Sequence, residues 1–235
     1  MHILKHLFRR ARSVYRSEGL LSLAKQATAY AAGWLFKYDT YYLYGICLED
    51  DADLRDTTAM PPLDDAACRV VSGNREADDL EAEGLEFRSQ VLNAREHLDR
   101  GATAFCIFVG QQLAHIVWVA MSQEAKDSLE KEPLFRVDFS GGECWSAGAW
   151  TEPRYRRSGL LAYGDIMRRQ FLLDHGVHTS LWAINKRNVP PRRFVARLGP
   201  QIHREGRCLK VLWWKSWRER PLTAGNDREQ RNAND

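Results

Sequence analysis

Trp150 to Leu161, reading Trp-Thr-Glu-Pro-Arg-Tyr-Arg-Arg-Ser-Gly-Leu-Leu, constrains the fold of this chain more than any other stretch. It reads as the end of a strand, a short arginine-rich turn and the opening of a helix. A helix leaves its first N–H groups without intrahelical partners, and its dipole favours an anion there. Gly159 lets the backbone take φ > 0 or approach a ligand closely. Arg154, Arg156 and Arg157 add positive charge on the same turn. The expected occupant of such a turn carries phosphate.

The charge distribution points the same way. Net charge is only +3, yet between Glu49 and Asp99 fifteen acids stand against five arginines. Between Thr151 and Arg220, sixteen Lys and Arg stand against five acids. The basic half is the half that holds the turn, and that suits a polyanionic ligand. A nucleic-acid face would give the same asymmetry, but no nucleic-acid motif accompanies it, so none is expected as a partner.

The pattern after residue 100 is one of apolar strands alternating with helices. Strands are expected at 103–109, 113–121, 134–139, 143–151, 177–184 and 207–217. Helices are expected at 160–174 and 188–198, and a short polar helix or loop at 122–132. Upstream, 41–48 and 68–71 read as strands, and 75–99 as acidic helical stretches broken at Gly84. The acidic run from Glu76 to Glu86 reads as a solvated face, or as an attractor for a cationic amine. The fold class is therefore α/β, with a mixed central sheet. Residues 1–40 read as a helical extension, 41–220 as the main domain and 221–235 as a disordered tail.

In the extension, residues 3–16 place Ile3, Leu4, Leu7, Phe8, Ala11, Val14 and Tyr15 at helical spacing. Lys5, His6, Arg9, Arg10, Arg12 and Arg16 fall on the other face. Two readings stand: a helical hairpin packed on the core or on a second copy in a homodimer, or a basic helix on an anionic membrane surface. Five scattered cysteines without a C-x-x-C pair argue for free thiols in a reducing compartment, and no metal framework is expected. No apolar run is long enough to span a bilayer, and no secretory h-region is present. The expected location is cytoplasmic, with the inner face of the membrane as the variant that the basic helix suggests.

Two motifs resemble those of the GCN5-related N-acetyltransferase superfamily. Pro153, Tyr155, Arg156 and Gly159 fall on its acyl-CoA signature, Pro-x-Tyr-Arg-x-x-Gly-x-Gly/Ala; Leu161 departs from it. Downstream, Asn188, Phe194, Leu198 and Gly199 match Asn-x-x-Ala-x-x-Phe-Tyr-x-x-Leu-Gly. The resemblance covers about residues 100–217 and implies a mostly antiparallel sheet in which strands 143–151 and 178–184 are parallel and splay apart. It implies acetyl-CoA, or another acyl-CoA, in the wedge between them. The acceptor would be an amine on a small molecule or sugar, attacked directly without a covalent enzyme intermediate.

The site residues implied by the resemblance follow. Ala149, Trp150 and Thr151 would line the wedge and offer a backbone N–H to the developing oxyanion. Arg156, Arg157, Ser158, Gly159, Leu160 and Leu161 would hold the cofactor's phosphates, with Asn188 and Phe194 further along it. Glu143 is the first choice for general base, since histone-acetylating members carry a glutamate near this position. Asp138 and Glu152 are second choices. Val195 stands where the family often has a tyrosine acid. Either Tyr155, Tyr163 or His203 replaces it, or the thiolate leaves unassisted. That departure keeps a catalytically silent acyl-CoA-binding module in view, and the basic first helix keeps a membrane-peripheral enzyme acting on a lipid-linked or polymer acceptor. The last strand's Trp213 and Trp217 are expected on one face and Trp214 on the other.

Overall fold

The computed structural model describes residues 36–49, 63–130, 135–197 and 201–222. Eight strands form one sheet: β1 (Phe36–Cys47), β2 (Ala66–Val71), β3 (Thr103–Val109), β4 (Gln112–Ala120), β5 (Glu143–Thr151), β6 (Thr179–Asn185), β7 (Gln201–Val211) and β8 (Trp214–Pro221). Among the described residues five α-helices accompany them: α1 (Asn74–Ala82), α2 (Ala94–Asp99), α3 (Gln123–Leu129), α4 (Leu160–Asp174) and α5 (Val189–Arg197). The strand order is β2-β3-β4-β5-β6-β1-β7-β8. Among the described strands only β5 and β6 pair in parallel; every other neighbouring pair is antiparallel. The mixed, mostly antiparallel α/β sheet expected from the sequence is thus the observed one.

The centre of the sheet is dry because its strands are apolar on both faces. β3 reads Thr-Ala-Phe-Cys-Ile-Phe-Val and is buried as far as Phe108. The two-residue turn at Gly110, with φ of 59°, returns the chain directly into β4. One face packs Phe87, Ala94, Leu98, Trp118, Ala125, Phe135 and Trp145 beneath α1, α2 and α3. The other packs Phe105, Val117, Val119 and Cys144 against Leu172 of α4. Helix boundaries follow local chemistry. Ser122 caps α3 by accepting the Ala125 N–H at 3.2 Å. α4 ends in a Schellman motif: Gly176 sits at φ of 74°, Val177 N–H reaches Leu172 O and Gly176 N–H reaches Leu173 O.

The structure departs from the sequence reading in three places. The first strand begins at Phe36 rather than 41 and lies in the interior, hydrogen-bonded to both β6 and β7. The assignment of 36–40 to a helical extension is therefore corrected; residues 1–35 lie outside the described residues, as does the tail from 223. Residues 135–138 form no strand. Phe135 instead inserts against Trp217, edge to face at 5.1 Å, and the Asp138 carboxylate closes the next turn on Ser140 and Gly141. The single strand expected over 207–217 is two, β7 and β8, joined at Leu212–Trp213, with Leu212 at φ of 57°. That turn breaks the alternation assumed for the tryptophans and puts Trp213 at the hairpin tip.

Of the cysteines, Cys106, Cys144 and Cys208 are buried and Cys47 and Cys68 half-buried, all as free thiols. Part of the acidic run is used internally: Asp78 and Glu81 both bridge to buried Arg88.

Candidate functional site

The parallel pairing of β5 with β6 lasts three residues: Glu143↔Thr179, Cys144↔Ser180 and Trp145↔Leu181. Beyond that point the strands take separate partners. β5 continues along β4 to Thr151, and β6 continues along β1 to Asn185. Their facing edges therefore part, and a wedge opens in the middle of the sheet. Gly148, Ala149 and Trp150, which border this opening, are exposed although they lie on a central strand. Ser146 and Ser180 close its apex with a buried hydrogen bond of 3.0 Å.

A bulge shapes the β5 edge. Ile116↔Trp150 and Trp118↔Ala147 are paired, so two residues of β5 face the single Val117. Gly148 takes φ of 63° there. A Cβ at that position would stand 3.1 Å from Trp118 Cδ1, so glycine is needed both for its conformation and for the ring beneath. Glu152 N–H donates to Ala114 O at 2.9 Å. By the alternation of an antiparallel ladder, Thr151 turns its own N–H to the other edge, into the wedge.

The turn that follows stands at the mouth of this wedge. Pro153–Tyr155 make one 3-10 turn, Arg157 takes φ of 66°, and Gly159 caps α4 at φ of 86°. Left-handed residues here tighten the chain so that the first N–H groups of α4, from Leu160 and Leu161, point out of the helix N-terminus. Arg156 Nε donates to Thr151 O at 3.4 Å and ties the turn to the end of β5. Ser158 Oγ donates to Tyr155 O at 2.6 Å. The chain therefore brings together Ala149, Trp150, Thr151, Arg156, Arg157, Ser158, Gly159, Leu160 and Leu161. A backbone cradle with two arginines, opening into an unpaired strand edge, fits a ligand with a phosphate end and an extended arm. Asn188 and Phe194 belong to the segment after β6: Asn188 precedes α5, Phe194 lies on it, and Leu198 and Gly199 fall outside the described residues.

The two residues expected to act as base and acid are not brought to the wedge. Glu143 opens β5 at its closed end, about 20 Å along the strand from Ala149 at roughly 3.3 Å per residue. Its carboxylate accepts the Asp138 N–H at 2.7 Å and fastens the preceding turn. Tyr155 stands on the turn before α4, but its ring packs with Ala66, Ile107, Ala114 and Leu160 on the β3–β4 side, under Arg154 at 4.6 Å. Tyr163 joins the same cluster. His203 lies over Gly45 on the opposite face. Val195 is buried with Tyr42, Tyr44 and Ile184. The phenols in that neighbourhood thus come from β1 rather than α5, and Tyr44 stacks on Trp182, the first β6 residue past the paired stretch.

The sequence reading missed His115. It is buried on β4, its Nδ1 is 2.8 Å from Thr151 Oγ1, and its Nε2 has no hydrogen-bond partner among the described residues. Burial, with the Arg168 charge adding to it, lowers its pKa from 6.5 to about 4. The ring is therefore neutral and holds the end of β5 by hydrogen bonding. The signal available in sequence was a lone histidine inside an apolar strand. Because the folded state binds the proton less well than the unfolded chain, His115 stabilises the fold above pH 6.5, and this stabilisation is lost as pH falls toward 4. A shift of that size corresponds to about 3 kcal/mol. His97, also lowered by burial, adds to the same trend. Urea unfolding at neutral and acidic pH is expected to show this loss in the wild type and a flatter profile in His115→Gln; equal profiles would reject the assignment.

No model of a known protein family matches this chain. No curated protein matches it. Among solved structures, the chain is similar to a tandem GNAT protein from the clavulanic acid biosynthesis pathway, at 16% identity over 84% of this chain and 59% of that one, with a TM-score of 0.46. It is similar to a GCN5-related glucosamine N-acetyltransferase region of a fungal multi-domain β-N-acetylglucosaminidase, at 12% identity over 82% and 23%, with a TM-score of 0.48. It is also similar to an acetyltransferase from the GNAT family of Colwellia psychrerythraea, at 12% identity over 75% and 56%, with a TM-score of 0.43. Against three further similar structures, one of them from Staphylococcus epidermidis, the chain spans 66%, 58% and 66% of the solved length. The three structures described individually are a GNAT protein and two N-acetyltransferases or acetyltransferases of that kind, each a distant likeness.

Proposed function

We propose that this chain is an acyl-CoA-dependent acyltransferase that moves an acetyl group from acetyl-CoA to an amine of a small molecule or sugar. The observation that carries the reading is the early end of the β5–β6 pairing, which opens a wedge directly beside the helix-capping turn. In this reading the turn N–H groups, Arg156 and Arg157 hold the phosphates, and the bare β5 edge at Gly148–Thr151 receives the pantetheine arm. The thioester supplies an activated carbonyl carbon. The amine nitrogen bonds to that carbon, the C–S bond breaks, the ammonium proton passes to solvent or a base, and the thiolate takes a proton.

The chain's part is to position and to stabilise charge. Thr151 N–H faces the place where negative charge develops on oxygen. The small residues Ala147, Gly148 and Ala149 leave room for the arm against the backbone. Val195 has no proton to give, so no donor on α5 is assigned to the leaving sulfur, whose thiol is acidic enough to depart unassisted.

A second reading is a non-catalytic acyl-CoA-binding module. Its supporting observation is that Glu143 and Tyr155 both stand away from the wedge. Thiol release from acetyl-CoA, measured with a panel of primary amines and amino sugars, separates the two. Amine-dependent release supports the transferase. Saturable binding with no release on any amine supports the binding module.

A further inference from the structure

We propose that the corner formed by the β7–β8 hairpin tip and the start of β1 is a docking surface for an anionic lipid bilayer. Directly opposed residues on neighbouring strands share a face. Phe36 is opposite Val211, and Val211 is opposite Trp214, so one face of the corner carries an apolar row across three strands. Lys37 is opposite Lys210, and Lys210 is opposite Lys215, so the other face carries a lysine row. Leu212 and Trp213 form the tip between them. Trp213 is 87% exposed, Phe36 56% and Trp214 54%, and Tyr38, Val211 and Leu212 are exposed beside them.

The two rows suit one kind of surface. Lys37 pairs with Asp39 at 3.2 Å, and from Leu209 to Arg218 the hairpin's only charged residues are basic. The exposed aromatic and aliphatic side chains lose water contact only if something apolar covers them. A bilayer surface with anionic headgroups complements both the apolar row and the positive charge beside it. Trp and Tyr settle at the headgroup level, aliphatic tips reach below it, and lysine stems snorkel to the phosphates.

Other occupants fit less well. The edge strand β8 carries Lys215, Arg218 and Arg220, a composition that discourages pairing with a second copy. A nucleic acid offers phosphates but no apolar cover for Val211 and Leu212. The same corner is where residues 1–35 join the described fold, and residues 3–16 of that segment read independently as basic and amphipathic. The inference does not depend on the acyl-CoA reading, since it involves none of the wedge residues.

The test is sedimentation of the full chain with vesicles of phosphatidylcholine alone and of phosphatidylcholine mixed with phosphatidylglycerol. The wild type is expected to sediment with the mixed vesicles only. Trp213→Ser with Trp214→Ser is expected to cut partitioning at least ~10-fold while acetyl-CoA binding is unchanged. Lys37→Glu with Lys215→Glu is expected to abolish the preference for phosphatidylglycerol. Failure of the wild type to sediment with either vesicle would overturn the proposal. So would wild-type partitioning of the serine variant, or a serine variant that instead turns a dimer into a monomer. Should the serine variant misfold, the phenylalanine replacements Trp213→Phe and Trp214→Phe keep the apolar bulk and give a second readout. They should bind as the wild type does yet lose the quenching of tryptophan fluorescence by brominated lipid; retained quenching would overturn the proposal.

Discussion

Gly159→Trp is expected to leave the protein folded and to weaken acetyl-CoA binding at least ~100-fold, about 2.7 kcal/mol. Gly159 caps α4 with φ of 86°, a left-handed conformation that costs an L-residue about 1–2 kcal/mol. An indole there would both strain the turn and fill the space in front of the Leu160 and Leu161 N–H groups. The helix itself should survive, because Leu160 and Leu172 are buried and the Schellman motif at Gly176 closes its other end. Arg156→Glu makes the complementary test. It keeps the backbone, breaks the bond to Thr151 O and reverses the charge at the turn where the proposed phosphates would sit. Calorimetric titration of both variants, with circular dichroism as the check on folding, decides the matter. Wild-type affinity in either variant would remove this turn from the phosphate site.

Trp118→Ala is expected to cost about 3–5 kcal/mol of stability, the range for deleting a buried tryptophan. That is a large part of the roughly 5–15 kcal/mol that holds a domain together. Trp118 is 2% exposed, tilted against Phe87 at 6.3 Å and edge-on to His97 at 5.2 Å. It also lies directly beneath the bulge at Gly148, so its loss should loosen the β5 edge that lines the wedge. The expected result in urea is a much lower midpoint with little change in slope. In the surviving folded protein, acyl-CoA affinity should fall as well. A loss below about 1 kcal/mol would mean that the ring is not the support described.

How much of this was legible beforehand depended on whether local chemistry or distant pairing decided the outcome. α4 was read at its observed bounds because its start and stop are local: Gly159 before it, His175–Gly176 after it. β3 and β5 were read correctly because their apolar runs are bounded by turn residues. The turn between β5 and α4 was legible for the same reason. The interior position of β1 was not, since nothing in 36–47 says which strands it will pair with. Residues 135–138 have the alternation of a strand, yet they pair with no described strand, and Phe135 packs edge-on to Trp217 instead. The β7–β8 turn was hidden because Leu212 adopts a left-handed conformation that its side chain does not advertise. Glu143 shows the limit of reading a role from strand position alone: it lies on the expected strand, at the end away from the wedge. His115 shows the reverse, a residue with no sequence motif that the register of β4 on β5 brings to Thr151.

The central claim is that the wedge and its turn form an acyl-CoA site. Isothermal titration of the purified full chain with acetyl-CoA, with dephospho-CoA for comparison, tests it most directly. The account predicts saturable binding near one site per chain, lost in Gly159→Trp. A folded sample that takes up no acetyl-CoA would contradict it.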